Sequence, residues 1–497
     1  MGVIKRQGIK QSLVNFIGVA IGALSTLTIY ANEKEAYGLA RFLLGTSLFF
    51  APFISLGFTS VAIRFFPEFK ENSERYRGFL GLLLLTVAFG ATIFLGLSWL
   101  FRDALLEMYR DKSPLFQQFL PYLVPLSILT AFFQIFYNYC INFQRITVPA
   151  IFQNGIKLSL PVLLLLFTGG YLSLVGVANG IVLNFVIVVL GMAGYLYGLG
   201  EWHWRLDWSF MSRERWGRVW NYAAYGLAGS VGSILAIRID EIMIPTLIDF
   251  RSNGIYAIAA FIGNTIMIPG NALIHLASPV IAQAIKDDNL TEVARIYRRV
   301  STNLTLVGLF FFIGIIASVT DLFALMPKSH DLTEAFAVVL FIGLARIVDM
   351  ITSVNNQIIN YSPYYRFGMF AILLMGGINI AFNLWLIPRF GIIGAALATL
   401  ASLSIYNLIK LLFIYYRYRI QPFSRQTLYL LGWAAVVYGL STAYPSQGRA
   451  LLDLVLRSVL ITVLYLPVVL YFRISEDFSE LAEQTWARVK SFLFPRR

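Results

Sequence analysis

Residues 232–245 read GSILAIRIDEIMIP, which sets Arg238, Asp240 and Glu241 inside an otherwise apolar run. A charge at mid-bilayer costs about 2.5 to 3.5 kcal/mol on insertion scales, so such residues turn toward one another, toward water or toward a ligand. On a helix Arg238 and Glu241 are three apart and can pair on one face. Asp240 lies about 200° round from Arg238 and continues a stripe of small residues, Gly229, Ser233 and Ala236. It needs a partner on another helix, or water. A second pattern, FAVVLFIGLARIVDMITSVNNQIINY (336–361), spaces Arg346, Asp349, Ser353, Asn356 and Asn360 along one helical face. That stripe fits either a water-filled cavity or a sealed network between helices, and the cavity is the expectation. Lys157 in QNGIKLSLP is also deep in an apolar segment, and Arg41 lies about one turn from a segment end, where it can snorkel. Arg41, Lys157, Arg238 and Arg346 outnumber Asp240, Glu241 and Asp349. An excess of cations, with Asn356 and Asn360 beside them, suits an anionic substrate such as a phosphate or pyrophosphate. The acids suit coupling to a cation, gating, or a structural ion pair.

The elements that carry these residues are apolar spans. The chain has 497 residues, of which 58% are hydrophobic and only 13% charged. Soluble domains carry about a quarter charged residues, so the composition is that of a multi-pass membrane protein. About fourteen segments are long enough, at about 20 residues each, to cross a bilayer as helices, from 11–30 to 450–472. Lys5, Arg6 and Lys10 precede the first, which is read as an uncleaved helix because it is long for a signal peptide. The single cysteine, Cys140, excludes an intrachain disulfide and a cysteine metal site. The net charge of +13 does not point to nucleic acid here, because basic residues collect in the cytoplasmic loops of membrane proteins. With the N-terminus inside, the inner loops hold most of the loop Lys and Arg, and an even helix count returns the C-terminus to the same side.

The chain repeats at an offset of about 217 residues. GLARFLLGTSLFFAPFISLGFTS (38–60) aligns with GIYAIAAFIGNTIMIPGNALIHLAS (254–278), which sets Pro52 against Pro269 as paired candidate hinges. A repeat of six helices keeps both halves in one orientation. The expected organisation is all-α. It comprises a six-helix bundle over 1–200, an interfacial linker over 201–220, a second six-helix bundle over 221–427, two extra spans over 428–472 and an amphipathic tail over 473–497. The linker, EWHWRLDWSFMSRERWGRVW, interleaves tryptophans with arginines and suits a headgroup layer.

The stretch RLDWSFMSRERWGRVWNYAAYGLAGSVGSILAIRIDEIMIPTLIDFRSNGIYAIAAFIG (205–263) resembles the start of the second half of Wzx-type polysaccharide flippases, members of the multidrug/oligosaccharidyl-lipid/polysaccharide exporter superfamily. The matching elements are Arg238 and Asp240, the loop TLIDFRSN, and Gly254, Tyr256 and Ala259; KDDNLTEVARIYRRVS (286–301) resembles the family's short cytoplasmic helix. A proline usual near the start of that span is absent from NYAAYGLAG. The resemblance implies two six-helix bundles about a central cavity and transfer of an undecaprenyl-diphosphate-linked oligosaccharide across the bacterial cytoplasmic membrane by alternating access. It implies a transporter rather than an enzyme, with no cofactor and with H+ or Na+ as the coupling ion. The partners it implies are the lipid-linked glycan and membrane lipids, for a monomer that contacts glycan-assembly proteins. A multidrug cation antiporter of the same fold is the alternative, though it calls for an acid-dominated cavity. A membrane-embedded polysaccharide enzyme is a further alternative, but no paired-carboxylate or Ser/His arrangement sits in the loops.

Overall fold

The computed structural model describes residues 18–71, 76–108, 114–143, 145, 147–205, 207–475 and 477–480. The basic residues ahead of the first span and most of the amphipathic tail lie outside them. Among the described residues every regular element is helical. That is what apolar spans require, since a helix satisfies its own backbone hydrogen bonds where no water can.

The principal helices are α1 (Gly18–Tyr30), α2 (Lys34–Ile54), α3 (Phe58–Arg64), α4 (Phe79–Leu100), α5 (Leu123–Ile141), α6 (Thr147–Thr168), α7 (Leu174–Gly198) and α8 (Arg213–Leu247). They continue with α9 (Phe250–Asn264), α10 (Ile268–Lys286), α11 (Leu290–Ala324), α12 (Ala335–Thr352), α13 (Asn355–Tyr361), α14 (Tyr365–Tyr418), α15 (Arg425–Ala443) and α16 (Ala450–Tyr471). Ten helical stretches among them are long and apolar enough to cross a membrane. The protein is a multi-pass membrane protein. At 54 residues α14 would run about 80 Å, far beyond a hydrocarbon core of roughly 30 Å. It holds two expected spans, which meet at Gly391 with φ 57°.

Polar caps set several starts. Ser212 accepts from the Arg215 amide at α8, Ser173 from Gly176 at α7 and Asn289 from Glu292 at α11. Each satisfies an amide that the first turn leaves without a helical partner. Two of these starts differ from expectation. Capped at Ser212, α8 begins inside the tryptophan-rich stretch and runs unbroken for 35 residues. Residues 290–301 are not a separate short helix, because nothing interrupts α11 between the Asn289 cap and Ala324.

The helices also break where the sequence carries prolines. Pro52 lies inside α2, which ends at Ile54 before Leu56 and Gly57 turn to φ 50° and 76°. Pro269 opens α10 after a single tight turn over Thr265–Met267. A proline in the first turn gives up no hydrogen bond, because that amide has no helical partner. The third break was not legible. The stripe from Arg346 to Asn360 is not one helix, since Ser353 takes φ 58° and ψ −125° and separates α12 from α13.

By contact the chain divides into two compact units, one of residues 1–258 with 383–391 and one of 259–382 with 392–497. In the first, α2 packs on α5 and α8, and α7 on α5 and α6. Its core holds Phe58, Phe69, Phe79, Tyr139 and Val219, all fully buried. In the second, α11 is central and packs against α10, α12, α15 and α16. Arg457 of α16 is tied there to Asp321 of α11 at 2.8 Å and to the Ala317 carbonyl at 2.9 Å.

Candidate transport site

In the first unit, glycines let two helices close on each other. A Cβ on Gly38 of α2 would run into the Phe250 carbonyl, and one on Gly254 of α9 into the Lys34 carbonyl. Asn253 fixes the crossing by donating its side-chain amide to the Gly38 carbonyl at 2.8 Å. Gly38 and Gly254, which are aligned in the sequence repeat, meet here.

One turn along α2 from that crossing stands Arg41. It donates to Glu241 of α8, which also accepts from Arg238 Nη1 at 3.3 Å. Gly45 leaves room for the Glu241 carboxylate, which would lie 3.2 Å from a Cβ there. The carboxylate is the buried member: its side chain is 11% exposed, against 30% and 35% for Arg41 and Arg238. Two guanidinium groups therefore share one carboxylate. Lys157 of α6 is exposed and reaches Asn154 Oδ1 at 3.4 Å.

Asp240, the neighbour of Glu241, points elsewhere. It is 4% exposed, accepts from the Tyr256 hydroxyl at one oxygen, and accepts from Asn383 Nδ2 at the other at 2.8 Å. These two donors carry no charge. The i, i+3 pairing of Arg238 with Glu241 and the opposed direction of Asp240 were both legible from helical spacing. Tyr256 and Asn383 were not assigned roles in the sequence. Tyr256 stood in the Gly-Ile-Tyr start of α9 without a role, and Asn383 follows no polar period.

The second unit holds the remaining residues in a different arrangement. Arg346 Nε donates to Asn264 Oδ1 at 2.6 Å, and Asp349 accepts from Asn407 Nδ2 at 3.1 Å. Asn356, beyond the Ser353 break, accepts from Lys410 Nζ at 3.1 Å and from the Tyr406 hydroxyl at 3.0 Å. Lys410 is 1% exposed and lies 3.8 Å from the centre of the Tyr406 ring. Its burial is unexpected for a lysine in NLIKLLF, whose period gives no sign of it. Asn360 ends α13 exposed, beside Gly368, away from these bonds. Among the described residues no group of three His, Cys, Asp or Glu could hold a metal ion.

The family model described as polysaccharide biosynthesis protein matches residues 9–285. That is more than half of the chain. The chain belongs to the polysaccharide biosynthesis protein family. Among its relatives is the probable flippase AglR of Haloferax volcanii, 28% identical over 210 residues. That match spans 40% of this chain and 43% of the relative, less than half of its length. Solved structures share the fold. The lipid II flippase MurJ in an inward closed conformation superposes with a TM-score of 0.72 at 15% identity, covering 94% of this chain and 99% of that one. A multidrug resistance MATE family transporter of the MOP superfamily, in an inward-facing conformation, gives 0.57 at 14% identity, covering 82% and 94%. This member of the polysaccharide biosynthesis protein family therefore shares the fold of those transporters, the fold that its resemblance to the exporter superfamily implied.

Proposed function

We propose that the chain is a flippase that carries a lipid-linked oligosaccharide, joined through a diphosphate, across the membrane by alternating access. The observation that carries this reading is the pairing of both Arg41 and Arg238 with the single carboxylate of Glu241. Arg41 and Arg238 each keep N–H groups beyond those given to Glu241, and a planar fork of donors matches diphosphate oxygens two at a time. Family membership and the likeness to AglR and MurJ support the same substrate class. A carrier of cationic drugs would want the opposite sign at this place. The protein acts as a transporter and not as an enzyme, uses no cofactor, and couples to H+ or Na+ through Asp240, with Glu241 and Asp349 in gating. It works as a monomer beside glycan-assembly proteins in the bacterial cytoplasmic membrane, both termini inside. The loop charge asymmetry supports that orientation.

The test is flipping of a fluorescent polyprenyl-diphosphate glycan by purified protein in proteoliposomes. Arg41→Ala and Arg238→Ala should each cut the rate tenfold or more, about 1.4 kcal/mol, and Arg→Lys at either position should restore only part of it. Unchanged flipping by a folded Arg41→Ala/Arg238→Ala protein would overturn the reading.

A further inference from the structure

The segment between α7 and α8 is not a loose linker but a strap laid across one end of the first unit. Its Trp204 carbonyl rests on Gly81 of α4, where any Cβ would collide with it. The Trp202 ring packs on Phe136 at 5.9 Å, and the Asp207 amide donates to the Arg77 carbonyl at 3.0 Å. Phe210 is held between the guanidinium groups of Arg77 and Arg215, at 3.9 and 3.7 Å from its ring centre. It also meets Phe69 at 5.0 Å. These contacts fix the strap on both sides of residues 203–208.

Beneath it lies a groove of about 780 Å³, within the roughly 300–1,000 Å³ of small-molecule pockets. Leu85 and Ala88 of α4, Phe132 of α5 and Val189 of α7 form its walls. Trp204, Arg205 and Trp208 frame its mouth, and Arg205 is the one charged residue lining it among the described residues. Leu85, Trp204 and Trp208 are each more than half exposed. Exposed tryptophans beside an arginine mark the headgroup level of a bilayer, and walls without polar side chains belong in hydrocarbon.

We propose that this groove binds an anionic phospholipid from the leaflet on the strap's side, with one acyl chain between α4, α5 and α7 and the phosphodiester on Arg205 between the two indoles. The charge pattern selects this occupant. A soluble anion would leave the apolar walls in water, and a neutral apolar molecule would leave the guanidinium without a counter-charge. A phospholipid answers both, because Arg reaches a phosphate as a fork of donors while the chain covers the walls. The site shares no residue with the cluster around Glu241 and stands independently of the substrate reading. Occupancy also ties the strap to α4, so bound lipid stabilises the join that leads into α8.

The test uses the full chain in delipidating detergent, with native mass spectrometry and thermal melts in the presence of phosphatidylglycerol, phosphatidylcholine of the same chains, or inorganic phosphate. Phosphatidylglycerol should be retained on the wild type and raise its melting temperature. Arg205→Ala should weaken that binding by about fivefold, the change expected for one basic residue at an anionic surface. Ala88→Trp, which fills the exposed groove wall, should displace both lipids. Equal retention of the two lipids by the wild type, unchanged retention by Ala88→Trp, or equal stabilisation by inorganic phosphate would each overturn the proposal. A photoactivatable phosphatidylglycerol applied to wild-type protein removes any dependence on the folding of the variants. Crosslinks in 81–88 or 202–208 support the site, and crosslinks confined to other segments overturn it.

Discussion

Replacing Gly38 by alanine probes the crossing on which the candidate site is built. The added methyl would lie 2.7 Å from the Gly254 amide nitrogen and closer still to the Phe250 carbonyl oxygen, far inside van der Waals contact. Both are main-chain atoms, so no side chain can swing aside and α2 must move away from α9. Forcing extra volume into a packed contact costs about 1–3 kcal/mol. Separation also lengthens the buried bond from Asn253 to the Gly38 carbonyl, 2.8 Å long, and a buried polar group left without its partner costs about 1–3 kcal/mol more. The expected loss is therefore about 2–6 kcal/mol. Gly432 in α15 is the control, because a Cβ there meets nothing within 4 Å. Gly432→Ala should stabilise the protein by about 0.4–1 kcal/mol by restricting the unfolded chain. Thermal melts of both variants in one detergent, read by tryptophan fluorescence, give shifts of opposite sign. A Gly38→Ala protein as stable as the wild type would refute the close-crossing argument, whatever the control does.

Asp240→Asn should lower stability by about 1–3 kcal/mol, the worth of a hydrogen bond to a charged group, since Tyr256 and Asn383 then face an amide that can accept at one atom only. A larger loss, of about 3–5 kcal/mol, would show that removing the Asp240 charge also strands a buried cation; the same protein should lose ion dependence of flipping. In the first half of α11, Arg299 Nε and Asn303 Nδ2 donate to Asp477 at 2.7 and 2.6 Å and hold its carboxyl below the usual carboxylate range. A depressed folded value means that the stabilisation is complete above the unfolded value, about 3.9, and fades as pH falls through the folded one. Both side chains are more than a third exposed, so Asp477→Asn should cost under about 1 kcal/mol at neutral pH, and nothing at the acid end. A cost that stays constant with pH would rule out the ion pair as its source.

The sequence displayed what depends on local spacing. Helix class and the duplication follow from long apolar runs, and the pairing of Arg238 with Glu241 follows from three residues on one helix. What depends on meetings between distant segments was hidden. Arg41 looked like a residue snorkelling at a helix end, and its partner is 200 positions away. Lys410 sits in an apolar run whose period says nothing of Asn356 or Tyr406. The break at Ser353 was missed for a different reason. A serine with φ 58° carries no glycine or proline to announce it, so the polar stripe looked continuous across a place where the backbone turns. The tryptophans of the strap were legible as interfacial by type. That Gly81 seats the Trp204 carbonyl was not, because a glycine in an apolar helix looks the same whether or not another segment rests on it.

The adjacent acids of α8 show how one crossing sorts two kinds of chemistry. Gly38 and Gly254 bring α2 and α9 together, with Arg41 three residues beyond the first and Tyr256 two residues beyond the second. Successive residues on a helix point about 100° apart. Glu241 therefore turns to the arginine of α2, while Asp240 turns to the hydroxyl of α9 and to Asn383. On the first side two guanidinium groups share one carboxylate, and the balance of charge favours an added anion. On the second side the carboxylate accepts from a hydroxyl and an amide, donors that orient it. The two adjacent acids are thus held by different sets of partners on different sides of one helix. Any movement of α8 that changes the first set of contacts must also change the second, because the two acids share a peptide bond.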